Sequence, residues 1–213
     1  MKFGTVAIVG RSNVGKSTLL NRLLGEKIAI VSDKPQTTRT RILGVVHVPD
    51  GQIAFLDTPG LHKPQHLLNR RMVRTAVEAL EEADLLYVLM DATSFPGPGD
   101  LAAIAYVKDA MAKRSRPAIL VVTKIDLVNK LKLLPVLESY ARLFDWADVV
   151  PVSSQTGDNI NRLLTSRSID QLNTMAKKTI QKTKSVRVKP LRFDTDWQYD
   201  PAPESASAAR IEP

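Results

Sequence analysis

The chain has 213 residues, 44% of them hydrophobic, which is enough to bury a sizeable core and fits one ordinary domain with an appendage. Lys and Arg number 30 against 22 Asp and Glu, a formal charge of +8 that suits a phosphate-bearing partner as well as plain solubility. There is no cysteine, which excludes disulfides, thiolate metal sites and cysteine nucleophiles, and no apolar run approaches the roughly 18 residues of a spanning helix.

The opening "MKFGTVAIVG" has one Lys and a short apolar run but no small-residue cleavage site, so it reads as a buried first strand and not as a secretion signal. It leads directly into Gly10-x-x-x-x-Gly15-Lys16-Ser17, which precedes the helical spacing "STLLNRLLG" with Gly25 as its predicted cap. Strand, glycine loop and helix in that order are the context of a phosphate-binding loop. Backbone amides of Gly10, Arg11, Ser12, Asn13, Val14 and Gly15 would curl around phosphate oxygens, aided by the helix N-terminus at Lys16, Ser17 and Thr18. Lys16 would reach the terminal phosphates, and the Ser17 hydroxyl would ligate Mg²⁺.

The polar stretch "DKPQTTRTRILG" would then lie across the nucleotide. A Thr hydroxyl there, Thr38 in preference to Thr37, would complete the metal shell only while a γ-phosphate is present. Arg39 and Arg41 face either phosphates or solvent. "VVHVPDGQIAF" is a hairpin with its turn at Asp50-Gly51, and its second strand ends in "DTPG". Asp57 would hold Mg²⁺ through water and the Gly60 N–H would meet the γ-phosphate, with Thr58, Pro59 and Leu61 alongside. Lys16, Thr38 and Gly60 are the residues assigned to catalysis.

Further along, "LLNRRMVRTAVEALEEAD" puts Met72, Val73, Ala76, Val77 and Leu80 on one helical face, and "LLYVLMD" reads as a buried strand. "DLAAIAYVKDAMAK" is helical, "AILVV" is a strand, and "LLPVLESYARLF" is a helix with Pro135 in its first turn. Such alternation predicts an α/β fold, a mostly parallel sheet with helices on both faces. Two segments at strand ends speak to the base. In "TKID", residues Thr123, Lys124, Ile125 and Asp126, the carboxylate can accept N1–H and exocyclic amino hydrogens of guanine, a donor pair adenine lacks, while the Lys124 stem covers the base face. In "SSQTG" the amides of Ser153 and Ser154 would turn toward the guanine O6.

Taken together, "GRSNVGKSTLLN", "PQTTRTRILG", "DTPGLHKP", "TKIDLV" and "VVPVSSQTGDNI" make residues 1–164 resemble the GTPase domain of the Era family of bacterial ribosome-assembly GTPases. "PQTTR" and "DTPGLHKP" are the discriminating strings. The resemblance implies a P-loop NTPase G domain with six strands, one antiparallel edge strand, and GTP/GDP with Mg²⁺ as cofactors. It also implies slow hydrolysis coupled to maturation of the small ribosomal subunit and its 16S rRNA, those two being the expected partners. A cytoplasmic monomer is expected, with peripheral contact at the inner face of the cell membrane left open. Ser12 stands where the family usually has Pro, and Ser154 where it usually has Ala. Leu61 occupies the position where many signalling GTPases orient the attacking water with Gln, and cannot hydrogen-bond it.

Beyond Gly157 there is no glycine, so the GXXG loop of the family's RNA-binding KH domain is not expected in this chain. Residues 165–193 read as a divergent basic extension, partly helical, and 194–213 as a disordered tail rich in Pro, Ser and Ala. An alternative reading is a nucleotide-gated RNA or ribosome binding module whose hydrolysis is negligible for want of that domain.

Overall fold

The structure is a computed structural model that describes residues 2–27, 42–48, 51–61 and 67–164. Six strands form a single sheet: β1 (Lys2–Gly10), β2 (Ile42–Val48), β3 (Gly51–Asp57), β4 (Leu85–Asp91), β5 (Ala118–Thr123) and β6 (Asp148–Pro151). Their order is β2-β3-β1-β4-β5-β6, all neighbours parallel except the β2–β3 hairpin at one edge. The mostly parallel sheet with one antiparallel edge is therefore as expected. In the hairpin Gly51 pairs with Val48 in the ladder, so it opens β3 as the closing residue of the connection; Asp50 lies outside the described residues.

Helices α1 (Lys16–Leu24), α2 (Leu67–Glu82), α3 (Pro98–Lys113), α4 (Lys130–Ala141) and α5 (Ile160–Leu164) cover both faces. Period-2 alternation sorts the apolar residues of the central strands into two layers. Ala7 and Val9 of β1 with Leu86, Val88 and Met90 of β4 face α2, α3 and α4, packing on Val73, Ala76, Leu80, Ile104 and Val107. Val6 and Ile8 with Leu85, Tyr87 and Leu89 face the other way, toward Leu19, Leu20 and Leu23 of α1 and Leu163 of α5. The buried Tyr87 hydroxyl donates to the Leu163 carbonyl at 2.8 Å, tying the short α5 to the sheet. Continuous apolar strands thus follow from burial on both faces, and β4 is buried along its whole length.

Helix ends follow their sequence signals. Gly25 closes α1 in the left-handed conformation, φ 72°, as predicted. The Asn129 side chain caps α4 by accepting from the Leu131 N–H at 3.0 Å. That cap starts α4 earlier than expected, so Pro135 lies inside the helix and not in its first turn, where it removes one backbone donor. Arg116, only 4% exposed, closes the far ends of two helices at once: its guanidinium donates to the carbonyls of Leu80, Glu81 and Ala83 at the end of α2 and to Ala110 of α3.

Because the strands are parallel, the C-terminal ends of β1, β3, β4, β5 and β6 meet along one edge of the sheet. β1 lies between β3 and β4, where the strand order changes direction, and that is where α/β sheets open a crevice for ligands. Among the described residues no helix is long and apolar enough to cross a membrane.

Candidate nucleotide-binding site

The loop between β1 and α1 lies in that crevice. Its conformation is restricted at both ends: Gly10 has φ 154° and Gly15, the residue preceding α1, has φ 96°. A Cβ on Gly10 would come within 2.6 Å of the Leu89 carbonyl oxygen on β4, so only glycine lets β1 end this close to its neighbour. Asn13 adopts φ 60° at the crest of the loop, and Val14 is fully buried and anchors it. Thr18 sits half-buried in the first turn of α1.

Lys16 is 7% exposed, and its ammonium donates to the carbonyls of Arg11 at 2.8 Å and Gly10 at 3.3 Å. The cation is therefore held under the loop that would carry the phosphates. Desolvation pushes its pKa down to about 8; Asp57 opposes that shift and Arg11 adds to it. An ammonium partly stripped of water gains by meeting an anionic oxygen, which is the chemistry expected of a phosphate ligand.

Asp57, at the end of β3, is fully buried and its Oδ2 accepts from the Ser17 hydroxyl at 2.7 Å. The two oxygen donors assigned to Mg²⁺ are thus adjacent, and hard oxygen donors are what that ion prefers. Thr58 follows with its hydroxyl bonded to the Ile8 carbonyl at 2.8 Å, a buried link that fixes the "DTPG" turn to β1. Pro59 and Gly60 are buried behind it. Gly60 packs directly on the phosphate loop: a Cβ there would lie 2.5 Å from Ser12 Oγ and 2.9 Å from the Ser12 Cα and N. The Leu61 N–H donates to the Gly10 carbonyl at 3.0 Å, while its side chain is fully buried in the apolar layer with Ala7, Val9 and Leu56. Leu61 is a core residue, consistent with its having no role toward water. Thr37, Thr38, Arg39, Arg41 and His62 lie outside the described residues.

The segments expected to read the base are tied to the same loop. Thr123, at the end of β5, donates its hydroxyl to Val14 O at 2.7 Å and Met90 O at 3.0 Å. Lys124 adopts φ 61° and donates from Nζ to Asn13 O at 2.9 Å. The chain then enters a single 3-10 turn (Ile125–Leu127) that carries Asp126 into solvent, and Ile125 N–H donates to Val152 O at 3.4 Å, joining it to the segment after β6. In that segment Ser153 is buried; its N–H donates to Asp158 O at 3.2 Å and its hydroxyl accepts from Thr156 N–H at 3.1 Å. Ser153 builds the turn, and Ser154 stands half-exposed beside it.

Two carboxylates beneath the site were not among the residues singled out from sequence. Asp91 ends β4 and Asp100 opens α3, and both bind Arg11: Asp100 Oδ1 accepts from Nε at 3.0 Å, and Asp91 Oδ2 lies 3.5 Å from a terminal nitrogen. The available signal for Asp91 was positional, an acidic residue closing the apolar run "LLYVLMD" just as Asp57 closes "QIAFLD".

Comparison with known proteins agrees with this geometry. The family model described as a 50S ribosome-binding GTPase matches residues 5–124. The GTPase Era of Heliobacterium modesticaldum is 45% identical over 163 residues, and that of Geobacter metallireducens 46% over 161; each alignment takes in 76% of this chain and 53% of the relative. The chain therefore spans about half the length of the curated relatives it matches. Among solved structures, a single-residue variant of Aquifex aeolicus Era bound to GDP and AlF4⁻ superposes with a TM-score of 0.70 at 39% identity, covering 83% of this chain and 57% of that one. Era in complex with MgGDPNP and nucleotides 1506–1542 of 16S ribosomal RNA gives a TM-score of 0.70 at 37% identity, covering 89% and 60%.

Proposed function

The chain belongs to the 50S ribosome-binding GTPase family with a GTPase domain of the Era type, and on that premise we propose that it is a guanine-nucleotide switch. It binds GTP and GDP with Mg²⁺, hydrolyses GTP slowly, and acts in the cytoplasm on the small ribosomal subunit and its 16S rRNA. The observation that carries this reading is the pair of links from the base loop to the phosphate loop, Thr123 Oγ1 to Val14 O and Lys124 Nζ to Asn13 O. They tie the phosphate cradle to the turn that carries Asp126, which supports a single ligand with phosphates at one end and a guanine at the other.

In this reading the loop amides of residues 10–15 bind the phosphate oxygens and Lys16 turns from the loop carbonyls to the terminal phosphates. Ser17 and Thr38 would hold Mg²⁺ directly and Asp57 through water, and the ion would supply charge neutralisation at the phosphoryl oxygens. Gly60 donates its N–H to the γ-phosphate from its place beside Ser12 of the phosphate loop. With the Ser153 N–H used inside its own turn, we assign the guanine O6 contact to Ser154. Leu61 supplies no group to orient water, which supports slow intrinsic turnover. The formal charge of +8 supports a ribosomal RNA partner.

Titration with GTP, GDP and ATP is the direct test, with guanine nucleotides binding and ATP not competing; binding without purine preference would overturn the reading. Single-turnover phosphate release is expected to be slow for the protein alone and faster with small ribosomal subunits. No release in either condition would favour a binding module without hydrolysis. Ser17→Ala is expected to raise the Mg²⁺ concentration needed for half-maximal GTP binding at least about tenfold, measured by metal titration at fixed nucleotide. An unchanged midpoint would remove Ser17 from the metal shell.

A further inference from the structure

Asp91 is 4% exposed, lies outside every segment assigned above to nucleotide contact, and has both carboxylate oxygens engaged. Its Oδ1 accepts from the Thr93 N–H at 2.9 Å and the Thr93 hydroxyl at 2.7 Å, the local bonds of the turn that follows β4. Its Oδ2 faces the other way. There it accepts from Lys124 Nζ at 2.7 Å and lies 3.5 Å from the Arg11 guanidinium. A turn-capping aspartate needs only the first oxygen. The second oxygen binds one cation of the base loop and one of the phosphate loop.

The surroundings prepare Asp91 for this task. Burial opposes its charged form, but hydrogen bonds from Lys124 and Thr93 outweigh that and hold the carboxyl below its ordinary pKa, so it stays ionised at neutral pH. Lys124, a third exposed, extends across the crevice with its ammonium held on two sides, by Asp91 Oδ2 and Asn13 O. Fixing the ammonium fixes the aliphatic stem. Arg11 is braced a second time by Asp100, so Asp91 joins two segments that are each already ordered.

Resting on the reading that Lys124 lies along the purine, we infer that Asp91 is a positioning residue for nucleotide retention. It acts through Lys124, holding that side chain as a preformed shelf for the base and tying it to the phosphate loop. Because the shelf meets the base and ribose end of the ligand, GTP and GDP depend on it equally.

The test is a two-by-two cycle in the full chain, with dissociation of fluorescent GDP and of a fluorescent non-hydrolysable GTP analogue as the readouts. Asp91→Asn keeps the size of the side chain and an acceptor for Thr93 but removes the charge under Lys124; it is expected to speed dissociation of both nucleotides about ten- to hundredfold. In a Lys124→Ala background the same change is expected to add less than about twofold, because the group it acts through is gone. Thr93→Ala, which strips the hydroxyl bond of the turn and leaves Oδ2 alone, is expected to lower the melting temperature without that acceleration. Full additivity of the two substitutions, or equal acceleration by Thr93→Ala, would overturn the inference and make Asp91 a scaffold residue. If Asp91→Asn does not fold, Asp91→Ser, which leaves the turn an acceptor, takes its place in the cycle. A native chain that ignores guanine nucleotides would instead overturn the functional reading itself, and is recognised before any variant is made.

Discussion

Asp126→Asn is expected to convert the chain from a guanine-nucleotide to a xanthine-nucleotide binder, shifting the ratio of the two affinities by roughly three to four decades. Its carboxylate has only acceptors to offer, and guanine presents N1–H and an exocyclic amine on one edge. An amide in the same place puts a donor opposite the amine, a mismatch, whereas xanthine carries a carbonyl there and matches. The frame around Asp126 supports an effect confined to the base. The side chain is exposed on a 3-10 turn whose start is pinned by Lys124 to Asn13 O and by Ile125 to Val152 O. Its exposure keeps it clear of the sheet, so the amide replaces the carboxylate without disturbing Lys16 or Ser17. Competition titrations with GDP, XDP and ADP read the outcome. Retained guanine selectivity would remove Asp126 from the base contact, and loss of all nucleotide binding would mean that the turn itself had failed.

The sheet was legible because burial on both faces writes a continuous apolar run for each strand, and "LLYVLMD" and "AILVVT" leave little else to read. The phosphate loop was legible because its constraints are local: Gly10 ends β1 against its neighbouring strand and Lys16 folds back onto Gly10 and Arg11. Asp57 was found from its place at a strand end beside "TPG". Asp91 holds the same place at the end of β4, on the other side of β1, yet its partners Arg11 and Lys124 are 80 and 33 residues away in sequence. Only the strand order brings them together. Pro135 misled for a related reason, since a proline is cheapest in a first turn but the Asn129 cap set the start of α4. Ser153 was read as a base donor from its position alone, and its N–H turns out to close the loop on Asp158. Residues 165–213 and Thr38, named from composition and motif, lie outside the described residues.

Arg116→Ala is expected to destabilise the fold by about 3 to 5 kcal/mol while leaving purine selectivity unchanged. A helix ends with carbonyls that have no partner within it, and here α2 and α3 finish side by side over the same layer of the core. Arg116 donates from Nε to Arg114 O, from one terminal nitrogen to Leu80 O, Glu81 O and Ala83 O, and from the other to Ala110 O. These acceptors, on two helices and the chain that follows them, share one guanidinium that is almost wholly removed from water. Burial lowers its pKa, with Arg114 adding to the effect and Glu81 and Asp84 opposing it, yet a guanidinium stays charged throughout the accessible pH range. Alanine leaves the carbonyls of Leu80, Glu81 and Ala83 without this donor, leaves Ala110 O only its bond from the Arg114 N–H, and opens a void in place of the guanidinium. For a domain of about 150 residues the loss corresponds to a fall of roughly 6 to 20 °C in melting temperature. Arg116→Lys, which keeps the charge but not the planar fork, is expected to recover only part of it. The nucleotide site lies at the opposite end of α3, where Asp100 holds Arg11, so GDP should still raise the melting temperature of the variant. A loss below about 1 kcal/mol would show that water serves these carbonyls as well as the guanidinium does.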